Sequence, residues 1–123
     1  MKRYGRIAAI VVLVLVFGSA GLFKLVNAAA FGEQFAHLGL PEWWVPVTGV
    51  VELLGAALIA LFKGLPRRFG AALLAATMAM ATGLHLLHDP VALALPASAL
   101  LLLAGYVALT SRSPLPTPAL AGA

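Results

Sequence analysis

The chain has 123 residues, 63% of them hydrophobic and only 10% charged, with a formal net charge of +4 at pH 7. Soluble domains carry about 45–50% apolar and about 25% charged residues, so this chain lacks the polar surface to face water and its solvent is largely lipid. The basic balance does not indicate a nucleic-acid partner, because the basic residues lie where membrane topology would put them, and the absence of cysteine removes thiol and disulfide chemistry and leaves the redox compartment unreadable.

The first apolar run covers residues 6–26, "RIAAIVVLVLVFGSAGLFKLV", long enough to cross a bilayer at about 20 residues per helix. The opening "MKRYGRIAAIVVLVLVFGSA", with "VNA" before Ala29, also fits a cleaved leader over residues 1–28. Its apolar run is longer than a leader core, and Lys24 falls just before the cut, so a retained span is the preferred reading. Residues 27–44 read "NAAAFGEQFAHLGLPEWW". Phe31, Phe35 and Leu38 recur at helical spacing and predict a short helix lying in the interface. Trp43 and Trp44 are the expected interfacial anchors, where an aromatic belt would sit.

The second run, residues 45–62, opens with Pro46 in its first turn, where a missing N–H costs little. It carries Glu52 inside "VTGVVELLGAALIALF". "KGLPRR" (63–68) reads as a tight connection to the third run, residues 69–88. "HDP" (88–90) leads to the fourth, residues 91–110, in which Pro96 predicts a kink. The tail 111–123, "SRSPLPTPALAGA", has three prolines and little to pack, and reads as a disordered cytoplasmic segment. A helix is the only single segment that satisfies its own backbone inside hydrocarbon. The predicted fold class is therefore all-α: an integral membrane four-helix bundle forming one domain, residues 1–110. Lys2, Arg3, Arg6, Lys63, Arg67, Arg68 and Arg112 flank one side and Lys24 alone lies toward the other, which makes both termini cytoplasmic.

Depth then locates a polar layer. Glu52 lies about 9 Å below the outer boundary and Lys24 about 4–5 Å below it. Side chains lean toward their own helix N-terminus, so the antiparallel spans bring acid and base toward one height. His85 falls in the same layer, with Thr48, Thr82 and Ser98 expected at its rim. Small residues one turn away (Gly49, Gly55 and Ala56 around Glu52; Ala20 and Gly21 before Lys24; Ala81 before His85) allow close helix approach. Val47, Val50, Val51, Leu54, Leu58 and Leu61 are expected to face lipid. An unpaired charge at this depth costs about 2.5–3.5 kcal/mol on insertion scales, which a Lys24–Glu52 pair relieves. The pair reads equally as a structural clamp or as a ligand or proton site. His85 and His88 are three apart, but without cysteine or a second membrane carboxylate no metal site is assigned. His88 is expected to cap its helix beside Asp89, and Met78 and Met80 to pack. No catalytic constellation is present.

With "GLFKL" (21–25), "LGLP" (38–41), "GVVELLGA" (49–56) and the Ala81–His85 pattern in this order, the chain resembles the DoxX / DoxX-like family of small four-helix bacterial membrane proteins. The resemblance spans residues 7–110 and maps the family's helix-1 lysine and helix-2 glutamate onto Lys24 and Glu52. It implies a multi-pass protein of the bacterial inner membrane, associated with membrane oxidoreductase systems, including a quinone-linked thiosulfate oxidation subunit and complexes handling thiol stress. Three functions follow in order: a non-catalytic accessory subunit whose polar pocket takes a quinone or other small ligand for a membrane oxidoreductase partner; a small proton-coupled transporter using Glu52, typically a homo-oligomer; and an assembly factor with a purely structural ion pair. A permanent cation beside Glu52 works against the proton switch of the second.

Overall fold

A computed structural model describes residues 2–111. Five α-helices, α1 (Lys2–Val26), α2 (Gly32–His37), α3 (Trp44–Leu61), α4 (Leu65–His88) and α5 (Leu95–Thr110), alternate with 3-10 turns at Ala28–Phe31 and Val91–Ala94. Four segments are long and apolar enough to cross a membrane: α1, α3, α4, and α5 together with the turn before it. Among the described residues there is no strand. The fold is the all-helical, four-span membrane bundle expected from composition.

Several boundaries differ from expectation for local reasons. α4 starts at Leu65, so the last four residues of "KGLPRR" are helical; Pro66 sits in its first turn, where no N–H is needed, and Gly64 at φ +70° makes the bend before it. Pro96 likewise occupies the first turn of α5, so it starts a helix after a 3-10 turn and kinks nothing. α1 extends back to Lys2, its first turns tied down by Arg6 Nη1, which donates to the Thr110 carbonyl at the end of α5 (2.9 Å). Arg67 Nε donates to Ile59 O in the last turn of α3 (2.9 Å). Both bonds place a cation on orphan carbonyls at the negative end of a helix dipole. Arg112 and the expected disordered tail lie outside the described residues, apart from Ser111, which is buried.

The spans form a ring: α1 packs on α3, α3 on α4, α4 on α5, and α5 returns to α1. Leu13 and Phe17 of α1, Ile59 of α3, Leu74 of α4 and Val107 of α5 fill its centre, with alanines Ala9, Ala56, Ala71 and Ala104 between them. Lipid tails are as apolar as leucine, so contact between spans must come from close packing. Two glycine crossings supply it. A Cβ at Gly21 would stand 2.8 Å from Gly49 O, and one at Gly49 would stand 3.0 Å from Gly21 O. Between α3 and α4, a Cβ at Gly70 would lie 2.8 Å from Gly55 O and 2.7 Å from Leu58 Cβ. Leu58 therefore packs into a helix crossing, contrary to its expected lipid-facing position. Val47, Val50, Leu54 and Leu61 do point outward.

Gly21→Ala should lower the stability of the detergent-solubilised protein by about 1–3 kcal/mol, because the new methyl would meet backbone atoms of Gly49 and Leu53 that cannot swing aside, as well as the Leu53 side chain. Gly18→Ala, where a Cβ meets nothing within 4 Å, is the control and should unfold as wild type does in thermal melts followed by circular dichroism.

Candidate functional site

The Gly21–Gly49 crossing determines what happens one turn away on each helix. With no side chain at either glycine, α1 and α3 come close enough for Lys24, leaning back toward the start of α1, to meet Glu52, leaning toward the start of α3. The ammonium donates to both carboxylate oxygens, at 2.8 Å to Oε1 and 3.0 Å to Oε2. Glu52 is 2% exposed and the Lys24 side chain 14%. Charge-assisted bonds of this geometry are among the stronger hydrogen bonds in proteins, and here they satisfy both oxygens of a buried acid.

The pair forms one wall of a cavity of about 260 Å³. Its floor and sides come from α1, α3 and α4. The segment between α1 and α3 covers it, through Phe31, Gln34, Phe35 and Leu38. Lys24 Nζ lies 6.0 Å from the Phe31 ring centroid and 5.8 Å from that of Phe35, within reach of cation–π attraction. Residues 27–44 thus do more than lie in the interface: their aromatic face closes over the buried charge. Trp43 and Trp44 stack edge to face at 5.3 Å where α3 begins, with Trp43 61% exposed, and neither lines the cavity.

The other expected site residues divide. Thr48 lines the cavity, but its hydroxyl donates to Val45 O (2.9 Å). Thr82 does not line it; one step along α4 from Ala81 rotates it by about 100°, leaving its hydroxyl buried without a partner among the described residues. Ser98 is also outside, its hydroxyl donating to Ala94 O (2.8 Å), because α5 packs on α4 and α1 away from the cavity. Thr77 takes the rim position instead. His85 lines the cavity without bonding Glu52.

The partner of His85 was not anticipated. Its Nδ1 donates to Asp89 Oδ2 (2.8 Å), while His37 Nε2 at the end of α2 donates to Asp89 Oδ1 (2.6 Å). His88, expected beside Asp89, bonds Leu84 O instead (3.0 Å) and packs its ring edge to face on His37. The hydrogen bonds from His85, then from His37, hold the Asp89 carboxyl below the usual carboxylate range, against a smaller opposing effect of burial. Asp89 therefore latches the cover of the cavity to the C-terminal end of α4. The i,i+4 spacing of His85 and Asp89 was readable; the third member, 52 residues away from Asp89, carried no local signal. Among the described residues no group of His, Asp and Glu is arranged to hold a metal ion.

Compared with known proteins, the chain matches the DoxX-like family over residues 8–107, a stretch that contains every residue lining the cavity. No curated protein and no solved structure matches it.

Two outcomes are expected from this geometry. Lys24→Met strands a buried carboxylate and should cost about 3–5 kcal/mol in detergent-unfolding titrations, and adding Glu52→Leu should recover most of that loss. The latch depends on ionised Asp89, whose folded value is lowered. Its contribution is therefore complete above the ordinary carboxylate value of about 3.9 and is lost as pH falls through the lower folded value. A nitroxide on Ala36→Cys should gain mobility only below about pH 4, and Asp89→Asn should make it mobile at neutral pH.

Proposed function

The chain belongs to the DoxX-like family, and from that premise we propose that it is a non-catalytic accessory subunit of a membrane redox system in the bacterial inner membrane, its outer cavity holding a quinone headgroup for an oxidoreductase partner. The observation that carries this reading is a mostly apolar cavity into which a few polar groups converge, the usual form of a small-ligand site. Ring size fits: an apolar cavity of about 150 Å³ admits benzene, and this one, at about 260 Å³, has room for a substituted ring. An isoprenoid tail would lie outside, along the apolar faces that α1 and α4 turn to lipid.

Donors for two carbonyl oxygens are available. An ammonium has three N–H groups; Lys24 directs two at Glu52 and keeps one for a ligand. His85 is anchored through Nδ1, and its Nε2 has no hydrogen-bond partner among the described residues. Phe31 and Phe35 supply ring faces and exclude water. Glu52 holds the Lys24 ammonium in place and balances its charge when the cavity is empty of ligand. A bound quinone would supply two-electron, two-proton redox chemistry, with electrons drawn from the partner. Any thiol chemistry would also belong to the partner, since this chain has no cysteine.

A second reading has its own support. Because both oxygens of Glu52 are taken by Lys24, the pair also suits a clamp that only fixes α1 against α3, as in an assembly factor. The transporter reading is the weaker one, because both oxygens of Glu52 are held by the Lys24 ammonium and none is left for a substrate. Titration of the purified protein with decylubiquinone, read by native mass spectrometry, separates the first two. Wild type should bind one quinone. Ala81→Phe, filling the cavity from α4, should abolish binding with the melting curve intact, and Glu52→Gln should weaken it by roughly tenfold, the loss of one charge-assisted contact. No binding by wild type, or equal binding by Ala81→Phe, leaves the clamp.

A further inference from the structure

The opposite end of the bundle holds a second cavity, of about 570 Å³, between the start of α1, the α3–α4 turn and the end of α5. Arg3, Arg6, Lys63 and Arg67 line it, together with Ser111. The positive-inside rule accounts for basic residues near this boundary; it does not require four of them, from two helices and a turn, to border one hollow. Nothing acidic answers them. The four acidic side chains of the chain, Glu33, Glu42, Glu52 and Asp89, all belong to the outer half of the bundle or the segments beyond it.

The donors are partly held and partly free. Arg6 and Arg67 each use one N–H to seal a helix end, on Thr110 O and Ile59 O. A guanidinium carries five, so four remain on each, with the group already oriented. Ser111 provides an independent sign. It lines the cavity and is only 6% exposed, and its buried hydroxyl has no hydrogen-bond partner among the described residues. A buried hydroxyl without a partner costs about 1–3 kcal/mol, a cost removed if an oxygen acceptor enters. The remaining wall is apolar: Ile7, Ile10 and Val11 line the same cavity, and Ile7 (46%) and Val11 (50%) continue onto the lipid-facing side of α1.

We propose that this cavity is a binding site for the phosphate of an anionic phospholipid of the cytoplasmic leaflet. Arg6 and Arg67 receive the phosphate oxygens with Ser111, Arg3 and Lys63 close the charge around them, and the acyl chains descend along Ile7 and Val11. Basic pockets between spans at the cytoplasmic side are suited to such headgroups. The apolar wall opening to lipid selects a phospholipid over a soluble phosphate. This site is independent of the outer cavity and does not rest on the quinone reading.

The test uses the full chain, purified in mild detergent and titrated with phosphatidylglycerol or phosphatidylcholine under native mass spectrometry. Wild type should retain phosphatidylglycerol at least tenfold more strongly than phosphatidylcholine. Arg3→Gln with Lys63→Gln changes two exposed side chains that no helix end depends on, and should cut retention by about 30-fold, as expected for two basic groups near an anionic headgroup. Ser111→Ala leaves charge and topology signals untouched and should cut it by about fivefold, which keeps the test decisive should the double variant not fold. Equal retention of the two lipids, or unchanged retention in Ser111→Ala, overturns the proposal. Displacement of the lipid by millimolar inorganic phosphate overturns the choice of lipid and assigns the site to a soluble anion.

Discussion

Hydrocarbon offers a carboxylate nothing to bond, so a glutamate in the middle of a span must find its partner within the protein. Here that partner is Lys24, whose ammonium reaches both oxygens of Glu52 across the gap left by two glycines. The order of causes runs from backbone to charge. Without side chains at Gly21 and Gly49, α1 and α3 approach until a Cβ at either glycine would meet the other's carbonyl oxygen, and at that separation the Lys24 ammonium reaches both oxygens of Glu52. The ion pair then determines what may lie beside it. Aromatic rings from residues 27–44 fold over the ammonium, and the cavity forms between those rings and α4.

The two ends of the bundle are chemically opposite. At one end Lys24 pairs with Glu52, and His37 and His85 with Asp89. At the other, basic side chains cap helix ends and line a hollow that no acidic side chain lines. This asymmetry follows from the distribution of fifteen basic, acidic and histidine side chains over a chain that is otherwise largely apolar. Under the two proposals, one end takes a neutral ring with carbonyl oxygens and the other a phosphate. The middle, packed with Phe17, Leu13, Ile59 and Leu74, keeps them apart.

Much of this could be read before the structure. Four apolar runs of bilayer length dictate four helices, and a helical rise of about 1.5 Å per residue is enough to bring Lys24 and Glu52 to one depth. Rotation about each helix axis was harder to read. Thr82 and Ser98 share the depth of the cavity but not its direction, because the ring order that turns α5 away depends on packing between spans. The latch was less legible still. His37 and Asp89 meet only after the chain between α1 and α3 folds back over the bundle, and nothing in the local sequence of either residue encodes that return. Proline was misread for a simple reason: Pro96 looks interior in a run of twenty apolar residues, yet a 3-10 turn precedes it and makes it an initiator.

The whole site depends on the contact between one amine and one carboxylate. Magic-angle-spinning NMR of the protein in lipid bilayers, labelled with ¹⁵N at lysine Nζ and ¹³C at glutamate Cδ, measures that contact through its dipolar coupling. Lys24 is one of only three lysines and Glu52 one of three glutamates, so the pair can be assigned by single substitutions. The geometry requires a strong coupling from an amine within hydrogen-bond distance of both carboxylate oxygens, lost in Lys24→Met. A Glu52 carboxyl with no nitrogen coupled to it would contradict the account and leave four helices without a site.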